Sequence, residues 1–157
     1  MDRLGSREVL MADQISPVSA WESLFRAQVT VMRQLASEFP TSIVSLNEYD
    51  VLFNLFLEPE RRLRIRDLGE KVLLTQPSIS RLVDRLVARG FLSKSDDPTD
   101  GRGTLVQLTD EGARVYREAA VLHARSISQH MTHLDADEQR ELARLCDKLR
   151  TGVASER

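Results

Sequence analysis

The spacing of hydrophobic residues changes abruptly at Gly90, and this change limits the folds open to the chain. Before it, residues 76–89 repeat their apolar side chains every three or four positions, which is the spacing of an amphipathic helix. After it, Phe91–Ser95 and Thr104–Leu108 alternate as strands do. Gly90 suits the end of the helix because glycine readily takes the left-handed conformation of a helix cap. The sequence therefore predicts a helix that leads directly into a β-hairpin.

The two predicted strands are separated by an eight-residue loop, residues 96–103, which is rich in Asp, Gly and Pro. Arg102 lies between Gly101 and Gly103, and these glycines let the backbone approach another surface closely while one cation projects. A narrow DNA minor groove attracts such a cation, and Asp100 could hold it through a charge-assisted hydrogen bond. The alternative is a local Asp100–Arg102 salt bridge that only closes a surface loop.

Helical spacing elsewhere predicts five more helices. They cover about residues 18–39, 45–56, 66–73, 109–130 and 135–149. Ser45 with Glu48, and Asp135 with Glu138, have the three-residue spacing of capping boxes. Residues 1–16 show no sustained period and are expected to form a loose arm or a short helix used in assembly. The predicted order is α-α-α-α-β-β-α-α, a mainly helical fold with a small β-hairpin.

Composition excludes several classes of protein. No apolar run approaches the roughly 18 residues of a membrane span, and the first 20 residues lack the apolar segment of a signal peptide. A soluble cytoplasmic protein with no membrane partner is therefore expected. The single cysteine, Cys146, excludes an internal disulfide framework and a Cys-rich zinc site, and it is expected to be buried on the stripe of the last helix. The sequence contains no Gly-rich phosphate loop, G-x-S-x-G or H-E-x-x-H motif, so neither an enzyme nor a cofactor is expected.

Charge is distributed unevenly along the chain. Between Arg61 and Thr104 there are ten basic and six acidic residues, a net charge of +4. The whole chain carries −2, so the remainder carries −6. A basic segment inside an acidic chain favours a polyanionic partner for that segment.

The same segment has the anatomy of a helix-turn-helix, because a tight turn joins the short helices Asp67–Leu74 and Thr75–Arg89. The buried stripe of the second helix is expected to contain Ile79, Leu82, Val83 and Leu86. Its outward face begins with short polar side chains, followed by the long cation Arg81. A helix that reads base edges in the major groove needs such a face. The alternative is an amphipathic helix whose polar face is simply solvated.

Two linked motifs resemble the MarR (multiple antibiotic resistance regulator) family. Residues 74–92 (LTQPSISRLVDRLVARGFL) are similar to its recognition helix and first wing strand. Residues 97–112 (DPTDGRGTLVQLTDEG) look like its wing, with the D-x-R signature at Asp100 and Arg102. The resemblance is strong from Leu46 to Gly112. It implies a winged helix-turn-helix transcriptional regulator, a repressor or an activator, that binds a palindromic operator in double-stranded DNA as a homodimer.

The resemblance also implies the residues that contact DNA. They lie on the recognition helix and in the wing: Thr75, Gln76, Ser78, Ser80, Arg81, Arg85, Lys94, Asp100, Arg102 and Gly103. One domain over residues 1–157 is implied, divided into an N-terminal arm and dimerisation helix (1–44), a winged lobe (45–108; recognition helix about 75–89, wing about 91–108) and C-terminal dimerisation helices (109–157). Independently, the first and last two helices carry wide apolar stripes with little to cover them in one chain, which favours a symmetric dimer.

Members of the family resemble one another in having a ligand crevice, so a small-molecule effector is also implied. The candidate lining residues are aromatic or histidine side chains: Trp21, Phe25, Tyr49, Phe53 and His123. Core or dimer contacts are the alternative for all five. Three other functions stay open: a zinc sensor that uses His123, His130, His133 and Asp135; a redox sensor at Cys146; and a winged-helix module that binds protein and not DNA.

Overall fold

The computed structural model describes residues 16–72, 74–98 and 100–155, without the side chains of Gln76 and residues 100–102. The predicted arm, residues 1–16, lies outside the described residues except for its last one. Six helices and three strands occur in the described ranges, and the fold is mainly helical as predicted. In chain order they are α1 (Pro17–Glu38), α2 (Leu46–Phe56), β1 (Arg62–Arg64), α3 (Ile65–Lys71), α4 (Gln76–Ala88), β2 (Leu92–Asp97), β3 (Asp100–Leu108), α5 (Asp110–Met131) and α6 (Ala136–Ala154). None of these helices is both long and apolar enough to cross a bilayer.

The chain divides into two compact units after Ser37, and each is described by itself. The second unit contains one hydrophobic core, built by α2 to α5 and the sheet. The largest fully buried side chains are Leu52, Leu55, Leu68, Ile79, Leu86, Val44, Val51, Val83 and Val106. Burying a side chain of this size stabilises the fold by about 1.5–3 kcal/mol. The core therefore fixes α3 and α4 against the sheet.

The sheet has three antiparallel strands in the order β1-β3-β2, one strand more than the sequence predicted. Strand β1 pairs Leu63 with Val106 and Arg64 with Leu105. It was missed because three residues with a polar-apolar-polar pattern are too short to show a period, and because its hydrogen bonds go to a strand about 40 residues away.

The predicted eight-residue loop is wrong. Strand β2 continues to Asp97 and β3 begins at Asp100, so strands cover most of residues 96–103. The register shifts between Asp96 and Asp97, where Asp96 lies opposite Thr104 but Asp97 lies opposite Asp100. These strands extend through polar residues, because backbone hydrogen bonds hold the ladder where no apolar face is needed.

The C-terminal end of α4 is tied to the start of α2. Ser45 and Glu48 form the predicted capping box. Arg89 donates to Glu48 Oε1 at 3.0 Å and to the Ile43 carbonyl oxygen at 2.9 Å. Burial opposes ionisation of Glu48, but the hydrogen bonds from Ser45 and Arg89 outweigh it and hold the pKa of Glu48 below its ordinary value. The ionised carboxylate thus fixes the orientation of α4 at its last turn.

The prediction that Cys146 is buried on the last helix, α6, is wrong. The capping box predicted for the start of this helix, Asp135 with Glu138, is present. However, none of its residues is buried, and Cys146 is exposed in the single chain. The stripe of the last helix was correctly placed, but nothing in the described part of the chain covers it.

Candidate nucleic-acid interface

Helix α4 has the buried stripe that the sequence predicts. Ile79, Leu82, Val83 and Leu86 are each no more than 2% exposed. The helix ends at Ala88 with Arg89 as its C-cap, and the φ of 76° at the following Gly90 is the left-handed conformation expected there. The Phe91 amide donates back to the Leu86 carbonyl oxygen at 2.9 Å, which closes the last turn. Four core contacts and a fixed end hold α4 rigidly, so its opposite face is presented in one orientation.

The opposite face of α4 is polar and cationic. Ser78 and Ser80 are half-buried, whereas Arg81 and Arg85 are exposed. Arg81 Nε donates to the Pro77 carbonyl oxygen at 3.2 Å, which holds the side chain along the helix. A shallow depression beside these groups is lined by Asn47, Leu74, Ser78, Arg81, Leu82 and Arg85. Asn47 was not predicted, since only the tertiary fold brings the start of α2 next to α4.

Thr75 occupies the N-cap position of α4 but does not cap the helix through its side chain. Its hydroxyl pairs with the Ser78 hydroxyl at 2.9 Å instead. Thr75 therefore marks the start of the second helix of the helix-turn-helix, as the sequence predicts. The Ser78 amide donates to the Thr75 carbonyl oxygen at 2.9 Å, and Pro77 has no N–H to donate.

Lys94 forms an ion pair with a residue of α4, and the sequence did not predict this contact. Its Nζ donates to Asp84 Oδ1, and this ion pair links β2 to α4. The Lys94 side chain is 31% exposed, and Asp84 partly neutralises its charge. Lys94 therefore has a bracing contact within the protein in addition to the DNA contact predicted for it.

The wing, which is β2 and β3 with their connection, contains a buried acid at the end of β2. Asp97 is 5% exposed and accepts a hydrogen bond of 2.5 Å from Arg64 Nε. Gly103 is half-buried. The side chains of Gln76, Asp100 and Arg102 lie outside the described residues, so their predicted DNA contacts stay predictions.

Three of the five candidate effector residues come together in the second unit. Tyr49, Phe53 and His123 belong to a cluster of rings, in which His123 meets Tyr49 edge-on at 5.2 Å and Tyr49 stacks on Phe53 at 6.3 Å. Phe39, Phe56 and Tyr116 complete the cluster. His123 Nδ1 is buried without a hydrogen-bond partner. An unpaired buried polar atom is rare in proteins, and an ordered water or an ion commonly satisfies it.

The other two candidates, Trp21 and Phe25, lie in the first unit on α1. Their rings stack at 6.1 Å, and they are 60% and 52% exposed. Exposed aromatic side chains of this size favour a contact with another surface.

No group of three His, Cys, Asp or Glu side chains is placed to hold a metal ion in the ranges that the structure describes. His130 contacts Glu38 at 3.0 Å, and Asp135 caps α6. The zinc-sensor alternative, which grouped His123, His130, His133 and Asp135, is therefore wrong for the described residues.

The environment of His123 predicts a pH dependence of stability. Burial lowers the pKa of His123 below its ordinary 6.5. The unfolded imidazole therefore takes up a proton near pH 6.5 while the folded one resists it, so stability should be complete above that pH and fall as the pH drops below it. Urea unfolding between pH 5 and 8 should show this slope, and His123→Leu should remove it. The exposed His133 provides the control His133→Gln, which should leave the slope intact.

Comparison with known proteins places this geometry in a family. The MarR family model matches residues 44–103. Sco3205 of Streptomyces coelicolor, a MarR family transcriptional regulator whose crystal structure contains DNA, is 26% identical over 89% of this chain and 94% of its own, with a TM-score of 0.74. The PcaV transcriptional regulator of the same organism, crystallised with its natural ligand, is 35% identical over 87% of this chain and 93% of its own, with a TM-score of 0.62. The chain belongs to the MarR family.

Curated MarR-family relatives agree with this placement. The multiple antibiotic resistance protein MarR of Escherichia coli is 36% identical over 73 residues, which are 46% of this chain and 51% of that protein. The chain spans between about half and two thirds of the length of the first curated relatives it matches. The MarR-family proteins matched are transcriptional regulators and not enzymes, in agreement with the sequence prediction.

Proposed function

We propose that this MarR-family chain is a transcriptional regulator that binds a palindromic operator in double-stranded DNA as a homodimer and releases it in response to a small molecule. The observation that carries the proposal is the outward face of α4. A helix fixed by four core side chains presents Arg81 and Arg85 on its exposed side, directly before the wing. Such a helix fits the major groove while the wing lies along the backbone or in the minor groove.

A relative supports the DNA partner. Sco3205, with the same fold and 26% identity, was crystallised in complex with DNA. The basic segment between Arg61 and Thr104 supplies the attraction to phosphates that an acidic whole chain lacks.

A second copy of the chain is proposed as the cover for α6. Along one side of this helix, Leu142, Leu145, Leu149 and Val153 are 39–54% exposed. The neighbouring helix α5 also exposes Val121, Leu122 and Ile127. Exposed apolar stripes on two helices are expensive in water and are commonly buried by a symmetry-related copy. A twofold axis would place two α4 helices about 34–36 Å apart, one turn of DNA.

The proposal is tested by selecting duplexes from a random-sequence pool with the purified full-length chain. The selected sequences should contain an inverted repeat whose half-sites are separated by about 10 base pairs from centre to centre. Enrichment of no sequence, with no retention of duplex at low salt, would contradict the proposal and favour a protein-binding module.

Arg81→Ala should weaken binding to the selected duplex by about 1–3 kcal/mol and relax the preference at one base pair. The reason is that an arginine near the first turns of a recognition helix can bond a guanine edge through two hydrogen bonds. Fluorescence anisotropy with selected and scrambled duplexes measures both effects. Arg125→Ala, which removes an exposed arginine from α5, is the matched control and should change little. Equal losses on both duplexes for Arg81→Ala would contradict base readout.

The effector is proposed to bind at the rings of Tyr49, Phe53 and His123. Support comes from the unpaired Nδ1 of His123 and from PcaV, which was crystallised with its natural ligand. An effector changes DNA affinity only through its different affinities for the bound and released states, here two spacings of the winged lobes. A compound that releases the wild-type chain from DNA should act much more weakly on His123→Ala. Equal action on both would place the effector elsewhere.

A further inference from the structure

The ion pair between Arg64 and Asp97 joins β1, the end of β2 and the start of α3. Arg64 is the last residue of β1 and also the N-cap position of α3. Its Nε donates to Asp97 Oδ2 at 2.5 Å, across 33 residues of sequence. Strand β3 lies between these two strands, since Arg64 is opposite Leu105 and Leu105 is opposite Ser95. The pair therefore spans the sheet and connects the outer strand of the wing to the start of the helix-turn-helix.

Local geometry supports a dedicated role for Asp97. The first and last residues of β2 are buried, while the four between them are exposed. The register shift between Asp96 and Asp97 interrupts regular pairing at the point where the chain turns to bury the carboxylate. The Asp97 side chain is 4% exposed, so it can reach neither solvent nor a phosphate, and the Arg64 side chain is 43% exposed. Burying a carboxylate costs free energy unless a charged partner compensates it, and the guanidinium group does so.

We infer that Asp97 and Arg64 are a positioning pair that sets the wing in its DNA-binding orientation, so that the buried acid raises DNA affinity although it touches no DNA. The inference rests on the proposed function and deepens it. Without the pair, the wing would keep its backbone hydrogen bonds and the Lys94–Asp84 link to α4, but it would lose the side-chain contact that fixes the end of β2 to the start of α3. Arg102, which the sequence places at the end of the wing, would then reach the duplex in fewer of the accessible orientations.

Simple electrostatics makes the opposite prediction, which gives the inference a clear test. Removing a carboxylate from a DNA-binding lobe should strengthen binding to a polyanion. Asp96 provides the matched control, because it is the neighbouring acid on the same strand and is exposed. Asp96→Asn should therefore bind DNA as well as the wild type or more tightly, whereas Asp97→Asn should bind about tenfold more weakly.

The experiment compares the full-length wild type, Asp96→Asn and Asp97→Asn by anisotropy with a mixed-sequence duplex of about 30 base pairs, three helical turns. Circular dichroism at the same temperature confirms that each variant is folded. If Asp97→Asn does not fold, Arg64→Met tests the same ion pair from its other side. Arg62→Met is its control, since each of the two variants removes one cation from β1. The inference expects the greater loss for Arg64→Met.

A double variant of Asp97 and Arg102 distinguishes an effect on wing position from a general loss of stability. If Asp97 acts through the wing, Asp97→Asn should cost little further affinity once Arg102→Ala has removed the contact. The double variant should then match Arg102→Ala within about twofold, the usual error of additivity. Independent losses that multiply would overturn the inference, as would an Asp97→Asn variant that binds like Asp96→Asn. If the wild type itself does not bind the duplex at low salt, the proposed DNA-binding function is contradicted. That result differs from one in which the wild type binds and Asp97→Asn binds equally well, which contradicts only the inference about the ion pair.

Discussion

Replacing Gly112 with alanine is expected to destabilise the fold by more than about 3 kcal/mol. Gly112 lies in the first turn of α5, and a Cβ atom there would stand 2.1 Å from the Phe91 carbonyl oxygen and 2.8 Å from Leu108 Cδ1. The Phe91 backbone cannot move aside easily. Thr109 holds it through a backbone hydrogen bond of 3.1 Å from its amide. Relief of the overlap would therefore require α5 to shift away from the wing.

Helix propensity alone predicts that Gly112→Ala stabilises the fold, because alanine is favoured over glycine within a helix by up to about 1 kcal/mol. Urea unfolding at equal protein concentrations measures the difference. Gly90→Ala is the control: φ is 76° there, but an added Cβ atom would meet no heavy atom within 4 Å, so only the backbone penalty of about 1–2 kcal/mol is expected. A Gly112→Ala variant as stable as the wild type would show that α5 does not pack against Phe91 as described.

Leu145→Glu is expected to dissociate the proposed dimer and to lower operator affinity by at least about 100-fold. Leu145 is 48% exposed in the single chain and lies in a groove of α6 with Leu134 and Leu142. A carboxylate buried between two copies would lose its hydration without a partner, at a cost of several kcal/mol. A monomer engages only one half-site, so the gain from linking two binding events, about 10²–10⁴-fold, is lost.

Light scattering measures the mass of this variant, and anisotropy with the selected duplex measures its affinity. Ala143→Glu introduces the same charge two residues away, about 200° around the helix, and should keep both mass and affinity. The single chain buries no residue of α6, so Leu145→Glu should leave the fold of each chain intact. A variant that stays dimeric would show that another surface makes the interface.

Features determined within a few residues could be predicted from the sequence. The buried stripe of α4, the left-handed Gly90 and both capping boxes follow from spacing alone, because helical periodicity and capping are local. The mainly helical fold with a small sheet also followed.

Features that depend on distant partners could not be predicted. The pairing of β1 and the Arg64–Asp97 contact both bring together residues more than 30 positions apart, and three residues of β1 show no period of their own. The solvent-facing part of the wing looked like a loop because its strands carry no apolar alternation. The sequence shows the apolar stripe that contains Cys146, but it does not show whether other parts of the chain cover that stripe.

The salt dependence of duplex binding tests the central claim most directly. Arg81 is assigned to a base edge, so two copies each of Arg85 and Arg102 would bring about four cations to the phosphates, and four neutralised phosphates give a slope of about −3.6 in a plot of log affinity against log salt concentration. We expect the wild-type chain to bind its selected duplex with a slope of this order. A slope near zero, or no binding to any duplex at the lowest salt, would contradict the assignment of α4 and the wing as a DNA interface.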